Sequence, residues 1–251
     1  MQIIISPAMK MATTEAFRPQ TRPKFRQAAG QLVNFLQQQS PAQLAQIWHA
    51  SEAITQLSYE QLQQLDFKHQ LVAAAFSYQG IQYQYMAPDV MTQPALDFLQ
   101  EHVRILSGLY GVLRPFDGVQ PYRLEMKHRL AGFGDGSLYH FWGSQLAHSL
   151  FQESATVINL ASREYAKAIT PYVATSQRFV TINFQEWTKD KWKTVGVHAK
   201  MARGAMTKLI CEQQLDTPES LQAFNDLGFK FVPEASSPNT YLFRTTDYGQ
   251  Q

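Results

Sequence analysis

Arginine and tyrosine recur along one unusual stretch, LSGLYGVLRPFDGVQPYRLEM at residues 106–126, where Tyr110, Arg114, Tyr122 and Arg123 sit among three glycines and two prolines. Guanidinium groups bind phosphate through paired N–H donors, and tyrosine rings stack on bases, so these residue types suit a phosphate-rich ligand. Gly108 and Gly111 let the backbone turn tightly or approach another segment closely, while Pro115 and Pro121 keep Arg114 and Gln120 out of helix. The expected result is a stiff loop that holds Arg114, Tyr122 and Arg123 in place before a ligand arrives. The same composition also suits a structural loop, with its tyrosines on the core and its arginines solvated or paired with Asp117 and Glu125. A third reading is a helix-hairpin-helix over VRILSGLYGVLR, whose turn amides would contact DNA phosphate, although that motif ordinarily spaces its glycines one residue apart.

Basic residues gather in other places too. Between residues 104 and 129, Arg104, Arg114, Arg123, Lys127 and Arg129 face only Asp117 and Glu125. In HAKMARGAMTKLICEQQ a helical period puts Met201, Ala202, Ala205, Met206, Leu209 and Ile210 on one side, with Lys200, Arg203, Gly204 and Thr207 on the other; Lys208 adds a third cation. A mid-helix glycine costs about 1 kcal/mol relative to alanine, so Gly204 predicts that something comes close to the polar face. A plain solvated face is the alternative. Lys10 in SPAMK follows an apolar run, where α/β proteins keep ligand groups, and could bind phosphate or act as a nucleophile. NLASREYAK repeats the arrangement with Asn159, Ser162, Arg163 and Lys167 at a helix mouth, where anions bind.

Other chemistries find little support. There is no phosphate loop ending in Gly-Lys-Ser/Thr and no Gly-x-Gly-x-x-Gly after a strand. Seven histidines show no metal-ligand spacing, and the lone Cys211 excludes both an intrachain disulfide and a cysteine zinc cage. No metal and no cofactor are therefore assigned. A net charge of +2 does not make the whole chain a nucleic-acid binder, so local distribution decides. No window approaches the roughly 20 apolar residues of a membrane span, and the expected setting is the cytoplasm.

These side chains need elements to position them. QIIIS reads as a buried first strand stopped by Ser6-Pro7, residues 24–38 as a helix, and Ser40-Pro41 as the start of another. A helix opening at Thr92-Pro94 leads into VRILSG, and LYHFWGSQLAHSLF carries a helical stripe. TVINLAS reads as a buried strand, RFVTINFQEW and KWKTVGVHA as a hairpin about Thr188–Asp190, and FKFV and TYLFR as closing strands. Strands and helices mix from end to end, which implies one mixed α/β (α+β) domain over residues 1–251 with a central mixed sheet.

On IIISPA, the long central stretch, LYHFWG, VINLASREYAKAI, HAKMARGAMTKLI and the region around GFKF, the chain resembles the YaaA family of bacterial peroxide-stress proteins over essentially its whole length. The resemblance implies a cytoplasmic protein that limits intracellular iron, and so hydroxyl-radical damage, during hydrogen peroxide stress. It also implies an α/β fold with a basic cleft, a helix-hairpin-helix element and binding to duplex and distorted DNA, and it carries over no reaction. The family usually places the lysine directly after ISPA, whereas here Met9 intervenes before Lys10.

Residues and resemblance agree on a phosphate-rich ligand. The leading expectation is a monomeric DNA-binding protein contacting phosphate through Lys10, Arg104, Arg114, Arg123, Lys127, Arg163, Lys167, Lys200, Arg203 and Lys208, with Tyr110 and Tyr122 stacking on unpaired bases. The alternative is an enzyme acting on DNA or a phosphorylated small molecule through Lys10 or Glu125 with an arginine anion clamp. Direct iron sequestration ranks last, because histidines and acids do not cluster in the sequence.

Overall fold

The computed structural model describes residues 1–13 and 17–245. Strands Gln2–Ile5 (β1) and Lys10–Met11 (β2) precede helices Arg26–Gln37 (α1), Pro41–Trp48 (α2) and Glu52–Gln63 (α3). Short elements follow at Val72–Ala73 (β3), Ala74–Ser77 (α4), Tyr78–Gln79 (β4) and Ile81–Met86 (α5), and helix Gln93–His102 (α6) leads into Val103–Ser107 (β5), Gly111–Leu113 (β6) and Gly118–Val119 (β7). Next come Leu138–Trp142 (α7), Gln145–Glu153 (α8), Thr156–Leu160 (β8), Arg163–Ala166 (α9), Arg178–Thr188 (β9) and Lys191–Lys193 (β10). The chain continues through the long helix Gly196–Gln213 (α10) to Lys230–Phe231 (β11) and Thr240–Thr245 (β12).

The main sheet is mixed and runs β11-β12-β9-β8-β1-β5-β6, with β10 paired to β9. Strands β1, β5, β8, β9 and β12 are parallel, while β6, β10 and β11 return antiparallel. Ile3, Ile4 and Ile5 are wholly buried because β1 lies in mid-sheet with layers on both faces, which explains its unbroken apolar run. Chain order reverses about β1: β5 and β6 lie to one side, and β8, β9, β12 and β11 to the other. Such a reversal opens a crevice beyond the carboxyl ends of the strands, where α/β sheets take ligands.

Local signals place several helices as expected. Ser40 caps α2: its hydroxyl accepts from Gln43 N–H while Gln43 Oε1 accepts from Ser40 N–H, with Pro41 in the first turn. Among the described residues no helix is long and apolar enough to cross a membrane.

The central stretch differs from the helix-hairpin-helix reading. VRILS is strand β5, buried at all five positions, and GVL is strand β6, joined by residues 108–110 into a β-hairpin. β-Branched Val103 and Ile105 pair with β1, and this tertiary pairing overrides the helical spacing that continues out of α6. Gly111 turns the hairpin at φ +73°, and a Cβ there would press on Trp142 and Leu146. At Gly108 a Cβ would strike the Leu124 carbonyl, so the close approach comes from residues 124–125 of the same chain.

Helix α10 brings a second correction. Gly204 and Thr207, placed on a polar face by the sequence, are buried, and a Cβ at Gly204 would collide with the backbone of Gln82 and Met86 in α5. The body that approaches Gly204 is this protein's own helix.

Candidate functional site

Beyond the carboxyl ends of β1, β5 and β8 lies a ring of polar groups. Ser6, just past β1, accepts from Ser162 N–H at 2.8 Å, tying the β1 end to the β8 end. Helix α5 covers both: Tyr83 Oη donates to the Ser6 carbonyl at 2.9 Å, and Gln82 Nε2 donates to the Leu160 carbonyl at 3.4 Å. From the β5 end, Ser107 and the Tyr122 hydroxyl lie 2.6 Å apart, and Tyr122 meets the Tyr78 hydroxyl at 2.8 Å. Burial drives the Tyr122 phenol up to about 12, and it raises Tyr78 and Tyr83 as well. These hydroxyls stay protonated at neutral pH and serve as donors and acceptors rather than bases.

Glu125 stands next to this ring. Its backbone N–H donates to His128 Nδ1 at 3.1 Å, which leaves the His128 Nε2 proton facing the Glu125 carboxylate at 3.3 Å. Lys127 Nζ lies 3.3 Å from the same carboxylate and 3.8 Å from Glu164. The His128 hydrogen bond foremost, with the Lys127 charge, outweighs burial and holds the Glu125 carboxyl down to about 2. Glu125 is thus a fixed anion, a weak base and no acid at neutral pH.

The neighbouring hollow, bordered by Pro7, Met9, Tyr122, Arg123, Glu125 and Tyr165, measures about 40 Å³. Arg123 is half-buried, and its Nε is sealed from solvent without a hydrogen-bond partner. On the far side of residues 7–10 a groove of about 840 Å³ is lined by Lys10, Phe17, Phe76 and Tyr78, with the Phe17 and Phe76 rings stacked at 3.7 Å. Lys10 is exposed in it, without the desolvation that activates a lysine nucleophile.

The predicted cations fall into separate groups. Lys127, Arg163 and Lys167 are exposed and join Arg123 at the carboxyl end, with Lys167 Nζ 4.8 Å over the Tyr139 ring, whose hydroxyl donates to Glu164 O. Arg104 and Arg114 lie at the opposite end: β5–β6 register pairs Ile105 with Leu113, so Arg114 falls beside Arg104 near the amino end of β5. Arg104 is 4% exposed and bonded to Glu153, with Nε at 2.9 Å, and to the Val103 and Gln100 carbonyls. It is a structural ion pair, not a phosphate contact. Lys200 is exposed on α10, Lys208 pairs with Glu212 at 3.8 Å, and Arg203 is half-buried, its pKa lowered to about 10 by desolvation and its Nε unpartnered.

The tyrosines are corrected as well. Tyr110 is 0% exposed, its hydroxyl accepting from Gln120 N–H, so its ring is closed to a base, while Tyr122 is half-buried and packs edge-on against it. Of the three readings of residues 106–126, the structural loop describes the tyrosines, and Arg114, Tyr122 and Arg123 do not form one set.

His128, Tyr78, Ser107 and Tyr165 belong to the site without being singled out by the sequence. The i, i+3 spacing of Glu125 and His128 is the available signal; the tyrosine–serine ring carries none, because β4, β5 and residue 122 meet only in the fold. Among the described residues no three of His, Cys, Asp and Glu converge as a metal site requires.

Comparison with known proteins adds the lineage. The family profile described as "Peroxide stress protein YaaA" matches residues 1–235. A UPF0246 protein of Lactobacillus helveticus is 51% identical over 246 residues, covering 98% of this chain and 97% of the relative. One from Lactobacillus acidophilus is 50% identical over the same shares, and one from Lactobacillus delbrueckii subsp. bulgaricus is 43% identical over 97% of this chain and 99% of its own.

Proposed function

We propose, from the premise that the chain belongs to the YaaA family of peroxide stress proteins, that it binds DNA in the cytoplasm through the carboxyl end of its sheet and so helps limit iron-dependent damage. The observation that carries this reading is the gathering of Arg123, Lys127, Arg163 and Lys167 at one sheet end, beyond the reversal of strand order. Cations on a rigid frame suit a polyanion, because each neutralised phosphate releases counterions. The half-buried stacked pair Phe17–Phe76, which lines the groove beside Lys10, offers a ring edge for unpaired bases in place of the buried Tyr110.

The test is fluorescence anisotropy with a DNA bubble and a matched duplex at several salt concentrations. Replacing Arg163 and Lys167 together by alanine is expected to reduce the slope of log affinity against log salt by roughly two. An unchanged slope, or no binding at low salt, rejects this surface. A second reading, an enzyme acting on a phosphorylated small molecule, rests on the Glu125–His128 pair beside the small hollow, with the carboxylate as a fixed anion. Turnover lost in Glu125→Gln with binding retained would support it.

A further inference from the structure

Strand β9 outlasts its neighbours. Its register with β8 sets Asn159 against Thr181, so residues 183–188 run on past Leu160, up to about 20 Å at about 3.3 Å per residue. Glu186 pairs with Thr245 of β12 on one edge and with Lys193 of β10 on the other. Strand β10 therefore lies on the β8 edge, beyond the carboxyl end of the sheet, where Arg163 and Lys167 follow β8. A two-residue turn, Lys189-Asp190, closes the hairpin with both residues in the left-handed region at φ +50° and +59°. One face is anchored, since Glu186 meets His198 of α10 at 2.5 Å. The other carries Trp187 directly across from Trp192, with the Arg244 guanidinium 4.6 Å over the Trp192 ring and its Nε donating to Gln185 at 3.3 Å.

A cross-strand aromatic pair accounts for Trp192, which is half-buried between Trp187 and Arg244. It leaves Trp187 47% exposed, and one exposed apolar side chain is by itself ordinary. The surroundings set this one apart. Arg244 on the same face and Lys189 at the tip form no ion pair among the described residues, and Lys191 and Lys193 alternate with Trp192 along β10. The acids of the hairpin are Asp190 in the turn and Glu186, which His198 engages. We propose that the β9–β10 hairpin is a stacking platform for an unpaired base, with Trp187 as the contact ring and Lys189 and Arg244 as the cations for the flanking phosphates. An aromatic ring among cations is what single-stranded nucleic acid requires, because every base has a π-face and every linkage a charge. A membrane surface, which also takes tryptophan with lysine, calls for a broader apolar face than one ring. Stacking here rests on the DNA reading but uses none of its residues: Arg163 and Lys167 hold the backbone of any DNA, and Trp187 selects the distorted form.

The test begins with the intrinsic fluorescence of the whole chain, titrated with a short oligothymidylate. Trp48 and Trp142 are 2% and 0% exposed, so quenching by a stacked base reports on Trp187 and Trp192. Quenching is expected in wild type and should be largely lost in Trp187→Thr, which keeps a strand-forming residue at that position. Anisotropy with a DNA bubble and a matched duplex follows. Trp187→Thr should bind the bubble about tenfold more weakly, with duplex affinity and salt slope unchanged because no charge is removed, and Trp187→Phe should restore most of the preference. Quenching and bubble preference unchanged in Trp187→Thr, or a wild type that binds bubble and duplex equally, overturns the platform and leaves the sheet-end cations standing. Preference lost in Trp187→Thr while the Arg163→Ala, Lys167→Ala variant keeps the wild-type salt slope supports the platform and rejects the sheet-end surface. Neither quenching nor binding at low salt overturns both. A blue shift of emission with phosphatidylglycerol vesicles, without any response to the oligonucleotide, overturns the platform in favour of a membrane surface.

Discussion

The two ends of the central sheet treat arginine in opposite ways. At the amino end Arg104 is enclosed with Glu153 and backbone carbonyls, every contact supplied by the chain itself. At the carboxyl end Arg123 has a buried Nε and no acceptor, beside a glutamate engaged elsewhere. The amino acid is the same, and the difference is whether the fold completes it. A completed charge holds a structure together, whereas a buried donor left without an acceptor costs the fold stability.

Several substitutions would break or sharpen this contrast. The largest effect is expected at the completed end: Glu153→Ala strands Arg104 and should cost about 3–5 kcal/mol, read by urea or thermal unfolding. A near-neutral result would mean that Arg104 is as unsatisfied as Arg123 and would erase the comparison. Gly204→Ala pushes α10 off α5 where backbone meets backbone, and about 1–3 kcal/mol of lost stability is expected. Because α5 covers the β1 and β8 ends, this variant should also weaken binding there, while Glu153→Ala should not.

A smaller effect is set by pH. The folded Glu125 carboxyl lies near 2 against an ordinary 4.5, so its contribution is complete above about pH 4.5 and is lost as pH falls toward 2. Glu125→Gln should therefore show a flatter acid limb than wild type over that window, measured as Tm against pH. The smallest effect on stability, within about 0.5 kcal/mol, is expected for Arg163→Ala with Lys167→Ala, both exposed; their readout is the salt dependence of DNA affinity.

Much of the fold is legible where signals are local. The triple isoleucine of β1, the Ser40 cap of α2 and the β9–β10 hairpin announce themselves within a few residues. The second run of that hairpin is shorter than its composition suggests, since strand ends at Lys193 and Gly196 opens α10. Residues 103–107 mislead because helical spacing in α6 runs into them, and only the pairing with β1 makes them a strand. Site residues are harder still. Arg114 and Arg123 are nine positions apart, yet the return of β6 puts them at opposite sheet ends, which no local pattern encodes. Gly204 does signal a close approach, but nothing near it in sequence says that α5 makes it.

The central position of β1 also sets a clock. Ile3 pairs with Val103 on one side and Ile158 on the other, partners 100 and 155 residues further along the chain. At roughly 5–20 residues per second of synthesis, β1 waits about 8–30 s before both neighbours exist. Throughout that interval a run of isoleucines bound for the middle of the sheet has nowhere native to go. Folding of this protein is therefore expected to be governed by late, long-range closure, and a charge placed in β1 would register first in yield during synthesis, before any assay of the finished molecule.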